Sequence, residues 1–195
     1  MKNENIVYRS SALTSNDKED LQEVEGYAIV FDSPTCLFKN ANGKEYLETV
    51  DRKALESCDL SDVVFRYNHN DNVSILARTS NNTLSLSVDE HGLKIRASIA
   101  DTTTGKDIYK LIKRKDIDKM SVAYVPDKVE FDPAKNMYTV RSIKRLIDVS
   151  AVDIPAYDST SISVTCRDMD KAMEEYENKQ ERARKYKKLN ILLNL

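Results

Sequence analysis

All four glycines (26, 43, 92, 105) and all four prolines (34, 126, 133, 155) of this 195-residue chain fall between positions 26 and 155. These residue types make tight turns possible, so a turn-rich body lies in that region. Residues 167–195 contain neither. There Met169, Ala172, Met173, Tyr176, Gln180 and Ala183 fall near one helical face, with acids early and bases late, as a helix macrodipole favours. The pattern divides the chain into a flexible N-terminal segment (1–20), a folded domain (21–166) and a charged helical tail (167–195). The tail reads either as a solvated helix or, through Ile191, Leu192 and Leu193, as a docking or oligomerisation helix.

The body reads as short strands. Gly26–Phe31 and Asp62–Tyr67 are rich in aromatic and β-branched residues. Leu84–Val88 and Leu93–Ile99 alternate around Asp89-Glu90-His91-Gly92, a hairpin turn, and Asn42-Gly43 is a second turn signal. Met120–Val125, Lys128–Phe131, Tyr138–Arg141 and Ile143–Ile154 follow, with Asp132–Asn136 as a connector. Asp51–Cys58 and Thr104–Arg114 read as short helices. The expected class is α+β and β-rich: an antiparallel β-barrel, closed or nearly so, with short flanking helices.

Charge and cysteine usage exclude several functions. Thirty basic and 32 acidic side chains leave a net charge of −2, without the basic excess of a nucleic-acid binder. No apolar run approaches the ~20 residues of a membrane-spanning helix, and the first residues lead into no secretory signal. Cys36, Cys58 and Cys166 are too scattered for a disulfide framework or a metal motif, so neither metal nor cofactor is expected, and the thiols read as reduced and cytosolic. Walker, GxGxxG and GxSxG motifs are missing, which disfavours phosphoryl transfer, dinucleotide chemistry and an α/β-hydrolase.

Three segments hold candidate chemistry. His69, in Asn68-His69-Asn70-Asp71, stands just after an apolar run, where a catalytic group is often held; the same residues are also ordinary turn composition. The other histidine, His91, reads as a turn residue. Ser121 lies in a strand pattern, sharing a face with Ala123 and Val125, and fits either a nucleophile or a hydrogen-bonded structural serine. Asp148 is an acid inside an apolar strand pattern, which demands a partner. It shares a face with Ser150, whereas Asp153 faces the other way, so at most one of the two acids points at a common site. A salt bridge from Asp148 to a cation such as Arg145 is the structural alternative. A serine nucleophile needs a neutral imidazole to take its proton, and the imidazole needs a third group to orient it. His69, Ser121 and Asp148 supply those types.

Taken in order, Gly26–Asp32, Glu48, Asn68-His69-Asn70, Leu76–Thr79, Asp89–Leu93, Met120–Tyr124, Leu146–Val152 and Pro155–Tyr157 resemble the prohead (capsid maturation) proteases of tailed phages, over about residues 24–160. That family is similar to the herpesvirus assemblin proteases. The resemblance implies a herpesvirus-protease-like β-barrel wrapped by helices and a serine endopeptidase that cleaves scaffold and capsid proteins, and itself. It puts the catalytic base at His69, the nucleophile at Ser121 and the third member at Asp148, where the family more often has Glu. By analogy, backbone N–H groups near Ala156 and Tyr157 would form the oxyanion hole. It further implies work in the host bacterial cytoplasm, inside the prohead, a homodimer by analogy with the herpesvirus enzymes, and a tail that packs with scaffold and is later trimmed. Two other functions fit the same residues: a non-catalytic assembly protein that keeps the fold, and a small-molecule esterase.

Overall fold

The computed structural model describes residues 7–16, 22–40 and 42–153. The strands are β1 (Val7–Asn16), β2 (Glu23–Val30), β3 (Thr35–Lys39), β4 (Glu45–Val50), β5 (Val64–Tyr67), β6 (Ala77–Arg78), β7 (Leu84–Val88), β8 (Gly92–Ser98), β9 (Lys119–Asp132) and β10 (Met137–Val152). Among the described residues one α-helix, α1 (Thr103–Arg114), connects β8 to β9, and a 3₁₀ turn spans Thr79–Asn81.

The ten strands form one sheet in the order β3-β4-β10-β9-β1-β2-β8-β7, with β5 on β10 and β6 on β5. It curls around a single apolar cluster, to which Val24, Ile29, Phe65, Leu93, Ile95, Val122 and Val149 belong. Neighbouring strands are antiparallel, except that β4 and β5 both run parallel to β10, one after the other along the same edge. The sheet is mixed and half-closed among the described residues, where an antiparallel barrel, closed or nearly so, was expected. The reason is local: β10 is 16 residues long and several register shifts bend it, so one long strand serves two short parallel partners.

Two further expectations are corrected. Residues 7–16, assigned to a flexible N-terminal segment, form β1, which pairs with both β9 and β2. Its composition (Val-Tyr-Arg-Ser-Ser-Ala-Leu-Thr-Ser-Asn) carries little strand signal, and the ladders on both sides supply what propensity does not. Asp51–Cys58 is a series of turns in place of a helix. The Asp51 carboxylate accepts from Lys53 N at 2.9 Å, which resembles a helix cap. The chain then turns its backbone to β10: Ile143 N donates to Ala54 O at 2.8 Å, and Asp59 N donates to Lys144 O at 3.0 Å. Tertiary hydrogen bonds thus replace the helical ladder.

Other expectations hold. The β7–β8 hairpin turns at Asp89–Gly92, where Asp89 Oδ1 accepts from His91 N at 2.8 Å and from Gly92 N at 3.0 Å. Gly92 is required by space: a Cβ there would stand 1.9 Å from Ile29 O. Helix α1 begins at Thr102, whose side chain accepts from Gly105 N at 3.0 Å, and ends at Lys115 in the left-handed region (φ 67°). Its Ile108 and Ile112, with Ile117 beyond, are buried in the core and fix where β9 starts. No helix among the described residues is long and apolar enough to cross a membrane. The expected tail (167–195), Cys166, Ala156 and Tyr157 lie outside the described residues.

Candidate active site

β5, β10 and β9 lie side by side, and two cross-strand rows make up the site. Val64, Asp148 and Ala123 are partners in one row; Arg66, Ser150 and Ser121 are partners in the next, which Ser10 of β1 continues. Partners directly opposite project from one face of a sheet. The intervening row, Phe65, Val149 and Val122, belongs to the apolar core, so Asp148, Ser150 and Ser121 leave the opposite face.

A bulge puts Asp148 there. Leu146 pairs with Tyr124 and both are core residues, but the next partners are Asp148 and Ala123. Ile147 is the extra residue. In a regular strand Leu146 and Asp148 would share a face; the insertion separates them, so Leu146 enters the core and the carboxylate goes to the site.

His69 arrives on a turn of unusual backbone. Asn68 and His69 both have positive φ (52° and 51°), and Asn70 N donates to Tyr67 O at 3.1 Å, the pattern of a type I′ turn. Asn and His tolerate this region better than most residues. Three hydrogen bonds hold the turn to β10: Asn68 N to Ala151 O at 2.9 Å, Asp153 N to Asn68 Oδ1 at 3.2 Å, and His69 N to Ser150 Oγ at 3.2 Å. The Asn-His-Asn segment is thus the turn its composition suggested, and it carries the imidazole to Asp148.

The turn places His69 Nδ1 2.6 Å from Asp148 Oδ1. Ser150 Oγ donates to the same oxygen at 3.0 Å. Asp148 is 6% exposed, and its partners are His69 and Ser150 in place of the cation considered as an alternative. Asp153 serves elsewhere: its Oδ2 accepts from Tyr67 OH at 3.0 Å, and burial together with that bond raises the phenol's pKa. Arg66 is tied to the loop after the turn, with Nη1 2.7 Å from Asp71 Oδ1.

Ser121 is fully buried, and its hydroxyl makes no hydrogen bond among the described residues. The structure thus joins His69 to Asp148 directly and sets Ser121 one strand away from Ser150, on the same face, without a bond to the imidazole. His91 is the turn residue expected; its ring meets Tyr27 edge-on at 4.5 Å.

Sequence reasoning gave no role to Ser150, although the Asp-x-Ser spacing in a strand carried the signal. Glu48, named only as part of the family pattern, also had no role assigned; it is 2% exposed and its carboxylate accepts from Tyr124 OH at 3.1 Å. That bond ties β4 to the residue of β9 paired with Leu146, the last pair before the bulge.

Comparison with known proteins bears on the family and the fold. No curated protein matches the chain by sequence. Among solved structures, the bacteriophage T4 capsid assembly protease gp21 is similar, with a TM-score of 0.51 and 12% identity over 79% of this chain and 100% of that one, which shows a shared fold. The family model for the caudovirus prohead serine protease matches residues 9–175, a span that contains β9, β10 and the His69 turn. The chain belongs to the caudovirus prohead serine protease family.

Proposed function

We propose that this chain is a serine endopeptidase of prohead maturation, with Ser121 as nucleophile, His69 as general base and Asp148 as the acid that orients the imidazole. The observation that carries the reading is the 2.6 Å bond from His69 Nδ1 to Asp148 Oδ1, on the sheet face from which Ser121 also projects. An ionised carboxylate only accepts, so it selects the tautomer with the proton on Nδ1 and leaves Nε2 as the base. Asp148 then stabilises the imidazolium formed when the serine proton moves.

In the reaction, Ser121 Oγ attacks the scissile carbonyl as His69 Nε2 takes its proton. The imidazolium returns that proton to the leaving amine, and water repeats the sequence on the acyl-enzyme. Asp is one methylene shorter than Glu; the left-handed turn at Asn68 and His69, held to β10, supports the shorter reach by bringing the ring down onto the strand. The substrates we assign are the scaffold and capsid proteins, and the chain itself, inside the assembling shell. The family membership supports this assignment.

Ser121 is enclosed in the described conformation, so attack requires that its hydroxyl become accessible to a peptide. That enclosure equally suits an assembly protein that keeps the fold without hydrolysis. Incubating the purified chain with capsid and scaffold protein separates the two. Fragments formed by the wild type and not by Ser121→Ala support the peptidase; intact protein in both, in the presence of assembled shells as well, rejects it.

A further inference from the structure

Three hydrogen bonds at the site close into a ring. His69 N donates to Ser150 Oγ at 3.2 Å, Ser150 Oγ contacts Asp148 Oδ1 at 3.0 Å, and Asp148 Oδ1 contacts His69 Nδ1 at 2.6 Å. Ser150 and Ser121 are both fully buried and are cross-strand partners on β10 and β9, yet among the described residues only Ser150 has hydrogen-bond partners.

The direction of the ring is not free. A backbone N–H can only donate, so Ser150 Oγ receives it through a lone pair. Its own proton then points to Asp148 Oδ1, the acceptor it meets at 3.0 Å. A carboxyl oxygen receiving that proton is disfavoured as the protonated oxygen, so Oδ1 accepts from His69 as well. The imidazole proton therefore resides on Nδ1. We infer that Ser150 is a positioning residue that fixes the His69 tautomer, by carrying the polarity of a backbone N–H in the left-handed turn through to the Asp148 carboxylate.

This role rests on the peptidase reading of the site and extends it. Asp148 alone already favours the Nδ1 proton. Ser150 removes the competing arrangement, in which Asp148 holds the proton on Oδ1 and the imidazole carries its own on Nε2. In that arrangement the base has no lone pair to offer Ser121. Ser150 also links two things that must agree: the strained backbone of the turn (φ 51° at His69) and the carboxylate that the bulge delivers. A mainly structural serine would satisfy the His69 N–H and have no effect on the ring proton.

The test uses the full chain with ¹⁵N-labelled histidine, reading the tautomer from long-range ¹H–¹⁵N correlations at neutral pH, with His91 as the internal reference. The wild type is expected to show the proton on Nδ1 of His69. Ser150→Ala should admit a detectable share of the Nε2–H form and lower kcat about tenfold at unchanged KM, as loss of one charge-assisted hydrogen bond would. Ser150→Thr, which keeps the hydroxyl, should restore both. Ser150→Val, β-branched and without a donor, gives the same reading should the alanine variant not fold. A wild-type tautomer in Ser150→Ala, or in Ser150→Val where it replaces it, overturns the inference whatever the activity. If the wild type shows no Ser121-dependent cleavage, the peptidase reading fails separately, because the tautomer measurement does not depend on turnover.

Discussion

Ser121 of β9 and Ser150 of β10 are direct cross-strand partners, and among the described residues only Ser150 has its hydroxyl engaged. Ser150 is held by Asp148 and His69 N, whereas the Ser121 hydroxyl, the nucleophile we propose, makes no hydrogen bond among the described residues. A fluorophosphonate probe is therefore expected to label Ser121 and not Ser150, read by mass spectrometry of the digested protein. Labelling that persists in Ser121→Ala would assign the nucleophile to another residue.

Asp148→Asn should leave the fold intact and reduce kcat by about four orders of magnitude, since an amide can donate to Nδ1 and stabilise the wrong tautomer. Peptide hydrolysis under single-turnover conditions gives the number. Asp153→Asn should be far milder, because that acid carries Tyr67 OH. Equal effects of the two substitutions would contradict the assignment of Asp148.

Tyr124→Phe removes the donor at 3.1 Å from a carboxylate that is 2% exposed. A buried acceptor that loses a partner costs about 1–3 kcal/mol, so the urea midpoint should fall by a corresponding amount with the slope unchanged. Glu48→Gln, which still accepts from the phenol, should lose less. A Tyr124→Phe protein as stable as wild type would show that this bond contributes nothing to the β4–β9 contact.

Acid should weaken the fold through Asp51. Its carboxyl lies below the ordinary aspartate range, first through the hydrogen bond from Lys53 N and then through the Arg141 guanidinium. A folded-state pKa lower than the unfolded one gives stability that is present above the unfolded value, about 3.9, and is lost as pH falls through the folded one. Urea midpoints measured between about pH 5 and 2 should decline, and Asp51→Asn should flatten that decline. No change in slope would mean that the group titrates alike in both states.

Cys58 is expected to resist thiol reagents. Burial pushes its thiol up to about 11, which leaves little thiolate at neutral pH. In native protein at pH near 8, mapped by mass spectrometry, Cys58 should react much more slowly than in urea. Rapid native labelling of Cys58 would show that the segment 51–58 opens readily.

The strands with the clearest alternation were legible because one face meets the core: Leu84–Val88 and Leu93–Ile99 form the hairpin read from Asp89-Glu90-His91-Gly92. The shared face of Asp148 and Ser150 was legible for the same reason, since period-2 patterning survives burial of both faces. β9 and β10 each read as two strands because Pro126 and the residues near Arg141 interrupt the pattern. In the fold these interruptions are register shifts inside continuous strands, and Pro126 sits opposite Ile143 at one of them. β1 was illegible because its composition carries little strand signal and one of its two partners, β9, is distant in sequence. So was the approach of His69 to Asp148, which are 79 positions apart. Nothing local in Asn68-His69-Asn70 specifies a left-handed turn over β10; the partners that hold it are Ala151, Ser150 and Asp153.

The extra residue at Ile147 makes strand length a determinant of where the Asp148 carboxylate points. Shortening β10 by that one position would restore unbroken alternation, and the chain would have to choose which half keeps its register. Either Leu146 moves out of the interior, or Asp148 moves in and abandons His69. Substituting Ile147 by another apolar side chain preserves the count and is benign by comparison. For engineers of this fold, an indel scan of β10 will therefore discriminate function more sharply than a substitution scan of the same stretch.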